Sequence, residues 1–166
     1  MNVVFLSPHF PQNFFQFLVR LREAGANPLA IADEPWERLR PELREALAEY
    51  YRVGDMHRYD ELLRGIAYLT FRHGKIDRLD SMSEYWLETE ARLREDFNVW
   101  GLRPADLEVI QRKTGMKSLF AKAGVPAAPA HLVRDPEAAR AFVRQVGYPL
   151  VAKPDIGVGA SRTWKL

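Results

Sequence analysis

The stretch from Val3 to Asp33 constrains the fold more than any other part of the chain. Val3–Leu6 is a run of four apolar residues, and Pro28–Ala32 is a second short apolar segment closed by Asp33. Between them Phe14, Phe17, Leu18 and Leu21 recur at i, i+3, i+4 and i+7, the spacing of one helical face. Asn13 is placed to cap that helix and Gly25 to end it. Apolar strand, amphipathic crossover and apolar strand make a βαβ unit. Strands with so little polar alternation belong to parallel sheets covered by helices on both faces. The expected fold class is therefore α/β, opening with a Rossmann-like parallel-sheet domain.

Helical spacing continues over 41–49 and 60–69, with a further helix over 83–97; strands are expected at 50–53 and 75–81. Ser81-Met82-Ser83-Glu84 has the S-x-x-E form of a capping box. Gly101 to Pro104 is rich in breakers and divides the chain into residues 1–101 and 102–166. Charge changes sign there. The first part carries 13 basic and 17 acidic side chains, the second 11 and 5. A basic C-terminal third points to an anionic ligand, a nucleotide or a nucleic acid. Its cations are scattered without interleaved surface aromatics, so no nucleic-acid partner is expected.

Composition removes several classes. With 0 Cys there is no disulfide framework, thiol catalysis or Cys-ligated metal, and a cytoplasmic address fits. No apolar run approaches the ~20 residues of a membrane span, so no membrane partner is expected. No basic segment precedes Val3–Leu6 to make it a secretion signal. His57, His73 and His131 lack metal-ligand spacing. Trp36, Trp86, Trp100 and Trp164 read as core or domain-interface residues.

In the last third, 106–112 reads as a short helix and Thr114 as the cap of another, with Met116, Leu119, Phe120 and Ala123 inward and Gly124 as the stop. A strand is expected at 131–133. Asp135 followed by Pro136 is an N-cap with proline in the first turn, and Ala138, Ala139, Phe142, Val143 and Val146 form that helix's inner face. Segment 149–153 reads as a buried strand and 162–166 as a strand with no partner in view, which suggests a fragment of a longer protein. Lys153 at the end of the first strand is costly unless its ammonium reaches water or an anion. Behind it lies a loop with Gly157 and Gly159, whose backbone N–H groups can approach a ligand closely. A mobile cation beside fixed donors is phosphate-binding chemistry. The same residues also describe a hairpin turn carrying a surface lysine. Neither a Walker A loop nor a Rossmann fingerprint is present.

Three ordered segments resemble the ATP-grasp ligases: "KTGMKSLFAKAGVP" beginning at Lys113, the helix from Asp135 that ends in "GYP", and "LVAKPDIGVGAS" around Lys153. With the N-terminal βαβ domain they cover nearly the whole chain, in the layout of biotin carboxylases and carbamoyl-phosphate synthetases. The resemblance implies a partial ATP-grasp small α+β subdomain over 102–166. It implies that Lys153 and Lys113 meet the ATP phosphates, with Lys117 the alternative to Lys113. It further implies that Gly157, Gly159, Ala160 and Ser161 form the loop that closes over the phosphates. Arg162 departs from the family pattern, which has a further glycine there. The implied ligands are ATP, Mg²⁺ held by residues beyond Leu166, and an unidentified carboxylate; a homodimer is compatible with that layout. The substrate cleft would border the strand ends of the first domain, where Ser7, His9, Ser81 and Glu84 could line an acceptor pocket. Such a fragment is expected to be inactive alone. The alternative is a non-catalytic α/β module that binds a nucleotide or a protein.

Overall fold

Strand β1 (Asn2–Leu6) runs between β2 (Asn27–Ala32) and β4 (Arg78–Asp80), and β3 (Glu49–Arg52) completes a parallel sheet of order β3-β2-β1-β4. Val4 is in register with Leu29 on one side and Leu79 on the other. This arrangement is seen in a computed structural model that describes residues 1–157 and 162–166. The chain divides into two units, Met1–Pro104 and Ala105–Leu166.

In the first unit, side chains alternate across each strand, so every strand feeds two cores. Val4, Leu6, Leu29 and Ile31 pack with Leu62, Ile66 and Leu69 of α3 (Tyr59–His73) and Leu93 of α4 (Leu87–Asp96). Phe5 and Ala30 pack instead with Leu18 of α1 (Phe15–Glu23) and Leu43 of α2 (Pro41–Ala46). Helices cover both faces, as the apolar strands require.

Local details depart from the sequence expectation. Asn13 does not cap α1; Phe14 is the N-cap residue without a side-chain bond, and the carbonyls of Pro11 and Asn13 take the first amides. Helix α2 stops at Ala46 because the chain enters β3 at Glu49, and α3 runs past Leu69 to His73, ended by Gly74 at φ +83°. A 3₁₀ turn over Glu84–Trp86 replaces the first turn expected of α4.

The second unit holds α5 (Pro104–Gln111), which opens at the boundary, then α6 (Lys113–Lys122), α7 (Pro136–Val146) and an antiparallel pair, β5 (Val151–Ala152) with β6 (Trp164–Lys165). Leu150 and Leu166 exchange backbone bonds of 3.1 and 2.9 Å, so the strand expected to be partnerless has a partner. Residues 131–133 form no strand; the segment is exposed and meets no ladder partner. Helix α7 follows its pattern closely. Asp135 accepts from the Ala138 amide at 2.8 Å, and Ala138, Ala139, Phe142, Val143 and Val146 are its only half-buried residues. Among the described residues no helix is long and apolar enough to cross a membrane.

Candidate functional site

The start of α6 is tied to the loop after β5 by one side chain. Asp155 Oδ1 accepts from both the backbone N and Oγ1 of Thr114 at 2.9 Å, and Oδ2 lies 3.2 Å from Arg112 Nη1. The carbonyl of Asp155 accepts the Lys113 amide at 3.0 Å. Arg112, the N-cap residue of α6, offers no cap of its own, so the carboxylate that satisfies this helix N-terminus comes from 41 residues away. Thr114, read as the cap from sequence, is the capped residue. The Thr114 amide, with its hydroxyl and Arg112 adding to it, holds the Asp155 carboxyl below the ordinary aspartate value.

Lys113 is drawn into the same arrangement. Its Nζ lies 3.4 Å from the Asp155 carbonyl and 3.3 Å from that of Gly157. Lys153, one residue beyond β5, is exposed, and among the described residues its ammonium has no hydrogen-bonding partner. Lys117 turns away and donates to the Ala128 carbonyl. Of the expected glycine-loop residues, Gly157 is exposed beside Lys113, while Gly159, Ala160 and Ser161 lie outside the described residues. Arg162 has a positive φ of 53°, in the backbone region that favours glycine.

In the first unit, the expected pocket residues meet different partners. Ser81 is 1% exposed; its hydroxyl donates to Glu90 Oε1 and to the Ser83 carbonyl, and its oxygen accepts the Ser83 amide. The turn is capped by Ser83, which accepts from the Tyr85 amide at 3.3 Å, so no capping box forms between Ser81 and Glu84. Glu84 is exposed and, with Arg78, Asp80, Met82, Arg94 and Trp100, lines a cavity of about 360 Å³. Ser7 and His9 do not line it. Ser7 follows β1 with φ 51°, its amide bonded to the Ile31 carbonyl at 2.9 Å, and His9 Nδ1 is a buried atom without a partner among the described residues.

Two features had little or no sequence signal. Asp155 sat inside the glycine loop without an assigned role, because its partners are remote in sequence. A second hydrogen-bonded chain joins the loop after β3 to the turn after β4. His57 Nδ1 is 3.0 Å from Asp55 Oδ1, and His57 Nε2 is 2.7 Å from the Tyr85 hydroxyl. The His57 backbone N–H, then its ring, hold the Asp55 carboxyl below its ordinary value. The Asp-x-His spacing was visible; Tyr85 was not.

No family model matches the chain. Solved structures do. The biotin carboxylase domain of 2-oxoglutarate carboxylase from Hydrogenobacter thermophilus, in complex with MgADP, ADP and bicarbonate, matches with a TM-score of 0.70 at 22% identity. It covers 99% of this chain and 37% of that one. An L-amino acid ligase from Bacillus licheniformis matches at TM-score 0.65 and 17% identity, over 99% of this chain and 38% of that one. A phosphoribosylglycinamide synthetase from Anaerococcus prevotii matches at 0.65 and 16%, with the same coverage of 99% and 38%. The chain thus spans somewhat more than a third of the length of these structures. At such identities the likeness speaks for the fold, and the fold is one shared with ATP-grasp enzymes.

Proposed function

We propose, from a fold shared with ATP-grasp ligases, that this chain supplies phosphate-binding residues for ATP in an ATP-dependent carboxylate ligation. The observation that supports the reading is the meeting of Lys113 with the loop after β5, the loop that begins at the exposed Lys153. Two lysines and close backbone groups are the chemistry that anionic phosphate oxygens select. On this reading Lys153 and Lys113 neutralise the phosphate chain, and Gly157, Gly159, Ala160 and Ser161 lie over it. ATP gives its γ-phosphoryl group to a carboxylate, releasing ADP and forming an acyl phosphate, from which an amine or thiol then displaces inorganic phosphate.

The residues for Mg²⁺ are a different matter. Among the described residues no group of three His, Asp or Glu side chains converges, so the donor set here does not fit a metal ion and no step is routed through one. Catalysis of phosphoryl transfer rests on positioning and charge neutralisation, of which the lysines provide one share. For the acceptor, the cavity beside Glu84 is the place this reading assigns, at the carboxyl end of β4. Ser81 serves there as a buried anchor for Glu90, while Ser7 and His9 stand at the carboxyl end of β1.

The test is a titration of the ¹⁵N-labelled chain with MgATP. The reading expects saturable amide shifts concentrated at 112–114 and 153–157. Shifts elsewhere only, or none, overturn it.

A further inference from the structure

We propose that Asp155 is a positioning residue, a clamp that holds the ammonium of Lys113 beside the strand-end loop that carries Lys153. The inference rests on the ATP reading above for its purpose, and on the geometry alone for its existence. Three consecutive residues, the N-cap and first two of α6, converge on this one aspartate. Thr114 gives it two donors at 2.9 Å, Arg112 an ion pair at 3.2 Å, and the Lys113 amide binds its carbonyl at 3.0 Å. Only 13% of the Asp155 side chain is exposed, so these bonds are partly shielded from water.

The arrangement has two consequences. An open helix N-terminus attracts anions through its free N–H groups. Here the Asp155 carboxylate already occupies that position on α6, so an incoming phosphate is left to meet Lys113 Nζ rather than the helix amides. In addition, Lys113 Nζ reaches the carbonyls of Asp155 and Gly157 from a backbone whose amide is bonded to the same Asp155 carbonyl. Lys153 lies two residues before Asp155, on the same strand end. The Asp155 side chain, through Thr114 and Arg112, and its carbonyl, through Lys113, therefore tie the start of α6 to the strand end that carries Lys153, and a shift of that tie weakens any ligand that needs the two lysines together.

The experiment compares the wild-type chain with Asp155→Ala and Asp155→Asn, after circular dichroism has shown unchanged helix content. Two readouts are taken. The first is the acylation rate of Lys113 by acetic anhydride, resolved by peptide mass spectrometry, with Lys122 as the internal reference. The second is MgATP affinity from amide shifts. Asp155→Ala is expected to raise Lys113 acylation severalfold and to weaken MgATP by about tenfold, the size of one charge-assisted contact. Asp155→Asn keeps an acceptor oxygen for Thr114 and is expected to restore most of both. Unchanged Lys113 acylation in Asp155→Ala overturns the clamp. So does raised acylation with unchanged MgATP affinity, which would make Asp155 merely structural. A wild-type chain that ignores MgATP defeats the ATP reading alone, and the Lys113 acylation then decides the clamp by itself.

Discussion

Arg94 Nη2 lies 2.9 Å from Glu90 Oε2, a fully enclosed ion pair with 7% and 3% of the two side chains exposed. The same guanidinium donates through Nε and Nη2 to the Leu79 carbonyl at 3.0 and 2.7 Å, and Ser81 donates to the other carboxylate oxygen. The pair does a specific task. β4 is an edge strand of the sheet, and Arg94 covers a carbonyl that would otherwise stand open for pairing. Removing one partner of a buried pair strands the other charge, at a cost of about 3–5 kcal/mol. Arg94→Met is expected to lose stability in that range by urea denaturation. A loss below about 1 kcal/mol, the range of ordinary surface changes, would contradict this role.

The charge on Glu90 also gives stability a pH dependence. Burial, the largest influence, raises its carboxyl above the ordinary glutamate value, with Asp80 adding to it and Ser81 and Arg94 opposing. A raised value means the folded chain holds the proton more tightly than the unfolded chain. That stabilisation is complete below the ordinary value of 4.5 and is lost as pH climbs through the raised one. Glu90→Gln has no proton to lose. The stability of Glu90→Gln relative to wild type is therefore expected to rise as pH climbs from the ordinary glutamate value of 4.5, measured by urea midpoints. A difference that stays flat or falls over that window contradicts the assignment.

Gly65 marks the closest approach of α3 to the sheet. A Cβ there would stand 2.9 Å from both Ile31 Cδ1 and Tyr51 Cδ1. Alanine is a better helix former than glycine by about 1 kcal/mol, but overpacking a core costs about 1–3 kcal/mol. Packing should win. Gly65→Ala is expected to lower the thermal midpoint, and an increase would mean that α3 can shift outward without loss.

Legibility in the sequence followed locality. The βαβ opening, the Asp135 cap and the five inward residues of α7 depend on neighbours within a turn or two, and periodicity carried them. The cap of α6 was misplaced at Thr114 because the carboxylate that performs it, Asp155, arrives from another element. Residues 131–133 had strand composition without a strand to pair with, and composition cannot supply a partner. The S-x-x-E at Ser81 failed as a capping box for a related reason. Glu90, nine residues on, took the Ser81 hydroxyl, and Ser83 capped the turn instead. For the candidate site, the proposal of Lys113 and Lys153 came from the resemblance and from the lysine at a strand end. The clamp between them was not legible, since nothing local marks Asp155 as different from any loop aspartate.

The central claim is that Lys153 and Lys113 bind the phosphates of ATP, and the affinity of lysine variants for MgATP tests it most directly. Lys153→Ala and Lys113→Ala are each expected to weaken MgATP by about tenfold or more, since each removes one charge-assisted contact. Lys117→Ala is the control, because its ammonium meets the Ala128 carbonyl and not the loop after β5. The account predicts loss at 153 and 113 with affinity kept at 117. Equal affinity across all three variants and the wild type would contradict it.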